Sequence, residues 1–367
     1  MTQILALPMH GEIKLRLEGL RTRDGHILEW ISRLNPRSKV TVLSRPEPWP
    51  RVSIVRFRAK HRGLDDPYPW SFVSPQTLAF PAIKDRHSWW VRSAQFEPTW
   101  PNCDAAVVWN PLACPQAKTA PDTPILFDLL DDWTVHETFL SIRDQVEAAY
   151  RNMFQRANIV SANSEGTLAL AHRFGRTDAK LIRNGCDPDR FDSYVKPHEV
   201  FTLGYGGKIG HRLDLNLIEK VAAAFPEWRL EFVGPTLIKD TARALSAIPN
   251  VTLVGDTHYA DYPSMLQRWD LAWVPHLTGS GEVGGDVIKL YEYRAAGLPV
   301  VSTRIIGWER ALDGVVAVDP INVCDALAAI PGAGKPMCVA RDDYVTPEEH
   351  TWRSKTAEML ELLGLNA

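Results

Sequence analysis

Short apolar runs rich in β-branched residues alternate along this chain with longer segments whose apolar residues recur at helical spacing, and few architectures accommodate that alternation. In the first half, TQILAL (2–7), VTVLS (40–44), VSIVRF (52–57), AAVVWN (105–110), PILFDLL (124–130) and IVSAN (159–163) read as strands, and AKLIRNG (179–185) closes the series. Helices are predicted over 25–34, over 137–156 (Phe139, Ile142, Val146, Ala149, Tyr150 and Met153 at helical spacing) and from Ser164, a good N-cap with Glu165 just inside. The second half repeats the pattern: FTLGYGG (201–207), RLEFVG (229–234), VTLVG (251–255), LAWVP (271–275), LPVVST (298–303) and VVAV (315–318) are strands, with helices over 213–225, 237–247, 261–268 and 286–296. Strands that alternate with helices of ten to fifteen residues pair in parallel, so the chain is α/β, with sheets covered on both faces.

A length of 367 residues favours two domains, and the polar stretch 188–199 is the natural link between residues 1–190 and 200–345. The formal charge of −3 provides no overall field to gather nucleic acid. The charge is uneven, however: residues 1–60 hold twelve Lys or Arg against five Asp or Glu, a surplus of seven. That surplus is either a solvated face or a surface for an anionic acceptor or membrane headgroups. Five widely spaced cysteines without a C-x-x-C suit reduced thiols in the cytoplasm. No run of eighteen apolar residues is present to span a bilayer, so a soluble protein, at most peripheral to a membrane, is expected. Residues 44–103 interrupt the alternation with many prolines and Trp49, Trp70, Trp89, Trp90 and Trp100, which either wall an acceptor site or pack an irregular insertion.

Three clusters follow strands, where ligands collect in doubly wound sheets. In GYGGKIGHR (204–212), Gly206 and Gly207 let backbone amides approach an anion, with Lys208 and Arg212 as cations; the alternative is a tight turn with solvated charges. In GEVGGDVIKLYEYRAAGLPVVST (281–303), a loop with Gly284 and Gly285 leads into a helix carrying Lys289 and Glu292 three residues apart, on one face. A carboxylate there accepts the hydroxyls of a ribose while the lysine meets a phosphate, unless the two merely pair with each other. In FDLLDDWTVHE (127–137), Asp131 and Asp132 end a strand and His136 follows. One carboxylate is placed to act as a general base or to order a hydroxyl, and the other to cap the next helix.

The run from SANSEGTLALAHRFG through AKLIRNGCDPDRF, then GYGGKIGHRLDLNLI, WRLEFVGP, VTLVGDTHYADYPSMLQRWDLAWVP and IKLYEYRAAGLPVVST, resembles the group 1 (family 4-like) glycosyltransferases. The resemblance spans about 125–305 and thins over 1–120, where acceptors are read. It implies two Rossmann-like doubly wound domains of the GT-B kind facing a central cleft. It also implies a closing segment, 346–367, whose helix HTWRSKTAEML returns to the first domain. It implies an enzyme of the EC 2.4 type that moves a sugar from a nucleotide sugar to an acceptor hydroxyl. Gly206, Gly207, Lys208 and Arg212 would hold the donor phosphates with the Gly284–Gly285 loop nearby, Glu292 the ribose, and Lys289 would assist at the phosphate. Asp131 matches a catalytic or sugar-orienting position, with Asp132 in reserve and His136 next.

One departure stands out. Many members of that family have two glutamates with seven residues between them, and the partner of Glu292 would fall on Gly284, flanked by Glu282 and Asp286. No metal or other cofactor is implied, since Asp187-Pro188-Asp189 lies inside a turn and the cations serve the departing diphosphate. A lipid-linked or polysaccharide glycan is the first choice of acceptor and a small metabolite the second, with nucleic acid last. A sugar-nucleotide epimerase or glycan phosphorylase of the same fold, and a non-catalytic nucleotide-sugar-binding protein, are the rival readings.

Overall fold

The computed structural model describes residues 1–46, 71–73, 91–95, 100–113, 123–279, 284–305, 312–337, 341 and 344–365. The strand expected at 52–57 lies outside them, as do Trp49, Trp70, Trp89 and Trp90 of the insertion; Trp100 is buried in a core. The chain forms two compact units. One comprises Met1–Arg183, Val283–Gly285 and Trp352–Ala367, the other Asn184–Glu282 and Asp286–Thr351.

The first unit runs β1 (Gln3–Leu7), α1 (Glu12–Glu18), α2 (Arg23–Leu34), β2 (Lys39–Leu43), β3 (Ser71–Val73), β4 (Ala105–Val108), β5 (Ile125–Leu129), α3 (Arg143–Arg156), β6 (Ile159–Ala162), α4 (Glu165–Arg173) and β7 (Lys180–Leu181). Among the described residues its strands make one parallel sheet in the order β3-β2-β1-β4-β5-β6-β7. Leu5, Leu7, Phe127, Leu129, Tyr150, Phe154 and Val160 share its core, where Phe127 meets Phe154 edge-on at 5.4 Å. Helix α1 is absent from the sequence reading because EIKLRLE alternates polar and apolar residues. Ion pairs four residues apart, Lys14–Glu18 at 3.2 Å and Arg16–Glu12 at 3.1 Å, suit the helical register, and Gly19 ends it at φ 73°. The helix expected over 137–156 begins instead with a 3-10 stretch, Glu137–Ile142, before α3. Helix α4 starts in a capping box between Ser164 and Thr167.

The second unit runs β8 (Thr202–Gly206), α5 (Leu215–Ala224), β9 (Arg229–Val233), α6 (Lys239–Ser246), β10 (Val251–Gly255), α7 (Tyr262–Leu266), β11 (Leu271–Val274), α8 (Ile288–Ala295), β12 (Val300–Thr303), β13 (Val315–Val318) and α9 (Val323–Ala329). Its parallel sheet has the order β10-β9-β8-β11-β12-β13. Alternate residues of each strand enter different cores, as period-two side chains must. Leu203, Leu230, Phe232 and Trp273 enter one, and Val233, Ala272, Val274 and Val300 the other. Gly204 faces the second core without a Cβ because the Trp269 ring lies 1.8 Å from where one would stand. Buried Arg341 donates to the carbonyls of Leu266, Trp269 and Ala296, satisfying chain ends that apolar packing would orphan. The chain closes with α10 (Trp352–Leu362), which belongs to the first unit. It packs on α2, where His26 stacks on Trp352 at 4.8 Å.

Several basic residues near the start are paired within the first unit, mostly with acids of the same segment. Besides the two pairs in α1, Arg21 meets Glu18 at 3.1 Å and Arg33 meets Glu29 at 2.6 Å. Arg23 is buried against Asp128. Among the described residues no helix is long and apolar enough to cross a membrane.

Asp128, wholly buried in β5, is the polar centre of this unit. It accepts from Arg23 Nε at 2.7 Å, the Trp109 indole at 2.6 Å and the Ser161 hydroxyl at 2.7 Å, so α2, β5, β6 and the end of β4 are joined at one carboxylate. Arg23→Met strands that carboxylate without its cation, which costs about 3–5 kcal/mol. A matching fall in the urea midpoint is expected, with most of it recovered when Asp128→Asn is added; equal loss in single and double variants would contradict this.

Candidate functional site

In both sheets the strand order reverses beside the first strand of the unit, between β1 and β4 and between β8 and β11. Connections there leave toward opposite faces and open a crevice at the carboxyl ends of the strands. The GYGGKIGHR turn occupies this place in the second unit. It is laced to its neighbours: Gly207 N donates to Val233 O (2.8 Å), Ile209 N to Pro235 O (3.0 Å), and Leu277 N to Arg212 O (2.8 Å). A Cβ on Gly206 would stand 2.0 Å from the Tyr262 hydroxyl, and one on Gly207 would stand 3.0 Å from Lys289 Nζ. Only glycine allows these approaches. Gly206 N also donates to the Tyr293 hydroxyl at 2.7 Å.

Lys208 and Arg212 are exposed on this turn, and Lys289 reaches it half-buried from α8 with its ammonium 5.0 Å above the Tyr205 ring. Burial, then the charges of Arg212 and Lys208, push the Lys289 ammonium down to about 7, against the opposing pull of Glu292. Burial and the cations Lys289 and Arg212 hold His276 well below the usual imidazole range. It is therefore a neutral ring, 3.1 Å from the Tyr205 hydroxyl. Glu292, one turn along α8 from Lys289, is 5% exposed and accepts from the Tyr259 hydroxyl at 2.7 Å. The second unit thus brings together Gly206, Gly207, Lys208, Arg212, Lys289 and Glu292: a glycine turn, three cations and one sheltered carboxylate.

Gly284 and Gly285 belong instead to the first unit. Gly284 (φ 71°) lies where an added Cβ would be 3.2 Å from Gly166 Cα, and its carbonyl accepts from the Ser164 hydroxyl. Gly285 abuts Asp131, whose Oδ1 is 2.4 Å from where a Cβ would stand. Asp131 is half-buried just beyond β5, its carbonyl accepting from Tyr150 at 3.1 Å. Asp132 is engaged elsewhere: it accepts from the Thr134 amide (2.8 Å) and hydroxyl (2.6 Å) and pairs with Arg173 (3.2 Å). The cap expected of Asp132 is supplied by His136, whose Nδ1 accepts from Thr138 N at 3.1 Å at the head of the 3-10 stretch. Asp286 is likewise occupied, accepting from Asn184 N, Val287 N and the Tyr291 hydroxyl at 2.8–2.9 Å. Asp187 pairs with Arg190 at 3.0 Å, so the Asp187-Pro188-Asp189 turn is an ion-paired turn. Among the described residues no group of three or more His, Cys, Asp or Glu is placed to hold a metal.

Sequence reasoning missed Tyr259, His276 and Tyr293, which surround the turn, and a buried pair at the strand reversal of the first unit. There His10, just past β1, meets Asp24 at 3.1 Å. Burial raises the Asp24 pKa, but His10 and the Thr22 hydroxyl outweigh it and hold the carboxyl far below the usual carboxylate range. For His276, LAWVPH directly after a predicted strand was an available signal. Tyr293 comes from a helix face that periodicity alone assigns to core, and Tyr259 from the turn before α7.

The doubly wound units are those of the GT-B class of fold. Residues 201–330 match the sequence model of the family described as glycosyl transferases group 1. The chain is 25% identical to the "Putative teichuronic acid biosynthesis glycosyltransferase TuaH" of Bacillus subtilis (strain 168), over 49% of this chain and 50% of that protein; it thus spans about half the length of this relative. Among solved structures, sucrose-phosphate synthase from Thermosynechococcus elongatus superposes with a TM-score of 0.70 at 14% identity, covering 99% of this chain and 98% of that one. Anabaena HepE, solved with UDP and glucose, superposes with a TM-score of 0.66 at 15% identity, covering 99% and 100%.

The lowered Lys289 has a sign that can be measured. Between about pH 7 and 10.5 the unfolded chain holds a proton that the folded chain has released, so stability from this group rises with pH across that window. The urea stability of wild type relative to Lys289→Met should therefore increase from pH 7 to pH 9. A constant difference would mean that Lys289 titrates as an ordinary lysine.

Proposed function

We propose that this chain is a metal-independent glycosyltransferase that moves a sugar from a nucleotide-sugar donor to an acceptor hydroxyl, with a lipid-linked or polysaccharide glycan as the favoured acceptor. The observation that carries the reading is the convergence of Lys289 and Glu292 on the Gly206–Gly207 turn at a strand reversal. Phosphate is matched by cations, and a ribose by a buried carboxylate. The family match over 201–330 supports the reaction class, and the teichuronic acid name of one relative supports a surface-glycan acceptor. Lys208, Arg212 and Lys289 stabilise the departing diphosphate themselves, which is the role a metal plays elsewhere. Nucleotide sugars screened by mass spectrometry against lipid-linked, polysaccharide and small-molecule acceptors should yield a mass shift of one sugar, undiminished by EDTA. Donor turnover that needs phosphate or no acceptor would identify a phosphorylase or an epimerase instead, and loss on chelation restored by magnesium would refute metal independence.

In this reading Asp131 serves the chemical step, because it is a half-buried carboxylate just beyond the end of β5, while Asp132 is committed to Thr134 and Arg173. Drawing a proton from the acceptor or holding a sugar hydroxyl in register is worth roughly 10²–10⁴-fold in rate. Asp131→Asn should lower kcat by that order with nucleotide affinity and Tm little changed. Asp132→Asn should lower Tm instead, and the reverse pattern would exchange the two roles.

A further inference from the structure

The NGCDPDRF turn (184–191) and Tyr259 have no part in the reading above, yet Tyr259 meets its carboxylate and Arg190 of the turn meets Tyr259. Tyr259 is 2% exposed and donates its hydroxyl to Glu292 Oε1 at 2.7 Å. Burial first, and then the charge of Glu292, keep this phenol protonated far above ordinary pH, so toward the carboxylate it acts only as a donor. The Arg190 guanidinium lies 5.4 Å from the centre of the Tyr259 ring and is itself held by Asp187 at 3.0 Å, with Asp187 3% exposed. Tyr259 also stacks on Tyr262 at 6.2 Å, and the Tyr262 hydroxyl fills the space beside Gly206. All of these residues belong to the second unit.

We propose that Tyr259 is a positioning residue for the donor nucleotide: its hydroxyl pins one oxygen of Glu292 so that the carboxylate is set for a ribose before the ligand arrives, and the Asp187–Arg190 pair seats the Tyr259 ring. Carboxylates swing about two torsions, and a buried donor removes that freedom at a site where misplacement costs affinity. The inference rests on Glu292 as the ribose-binding group. A residue acting only through that carboxylate affects ligands that carry ribose hydroxyls and spares those that lack them.

The test is calorimetry with uridine, adenosine and guanosine diphosphates, each beside its 2′,3′-dideoxy counterpart. Wild type should prefer one ribonucleotide over its dideoxy form. Tyr259→Phe should weaken that ribonucleotide about tenfold, the scale of one hydrogen bond to a charged group, and leave the dideoxy form unchanged. In a Glu292→Ala background the Tyr259 change should have no further effect. Arg190→Met should show the same selectivity to a smaller degree, and it carries the test if Tyr259→Phe folds poorly. Equal weakening of both ligands, or no weakening, overturns the positioning role while Glu292 keeps its own. Binding of no nucleotide, or wild-type indifference to the ribose hydroxyls, overturns the Glu292 assignment and this inference with it.

Discussion

Each sheet begins with a strand in its interior and then grows outward in two directions, and this reversal is the constraint on which both units depend. A right-handed crossover places its helix on one face when the chain moves one way and on the other face when it turns back. Between β8 and β11 the reversal leaves room for the glycine turn at the carboxyl end of the sheet. The glycine turn, Lys289 and His276 gather there because the topology leaves that ground open. The same reversal between β1 and β4 gathers His10 and Asp24.

What the turn can hold follows from sterics and charge together. Tyr205, Tyr262, Tyr293 and the Val233 carbonyl press against Gly206 and Gly207, so the walls are rigid and the approach is by backbone. Three cations crowd one edge, while the nearest carboxylate, Glu292, is spoken for by Tyr259. Their mutual repulsion, added to burial, is what lowers Lys289. A dianion resting among them would relieve that repulsion.

Polar groups inside the units act as joints and not as decoration. Asp128 ties helix α2 and three strand positions to one carboxylate. Arg341 closes three carbonyls, and Asp270 accepts from Thr202 N, Met337 N and His198. Each joins several buried partners at one group. Apolar cores such as that of Leu203, Phe232 and Trp273 tolerate exchanges of similar volume, whereas these joints specify which element meets which.

The α/β class, the strands of the second half and the glycine turn were legible because they rest on local signals: period-two apolar runs, helical spacing, and glycine between a strand and a helix. That Lys289 and Glu292 share one helix was legible too, since a helix places residues three apart on one face. Helix α1 was not, because EIKLRLE carries a strand-like alternation that ion pairs and Gly19 override. The roles of Asp132 and His136 were not, because which side chain caps a turn depends on its final backbone angles. Gly284 shows the limit most clearly. The sequence records only that glycine stands where the family resemblance implies an acid. The fold decides why: the backbone there turns left-handed and lies against Gly166, so a larger side chain has no room. Tyr259 reaches Glu292 from 33 residues away in sequence, and Arg190 reaches Tyr259 from a segment well before both. Contacts of that separation are set by how the layers pack, which no local pattern encodes.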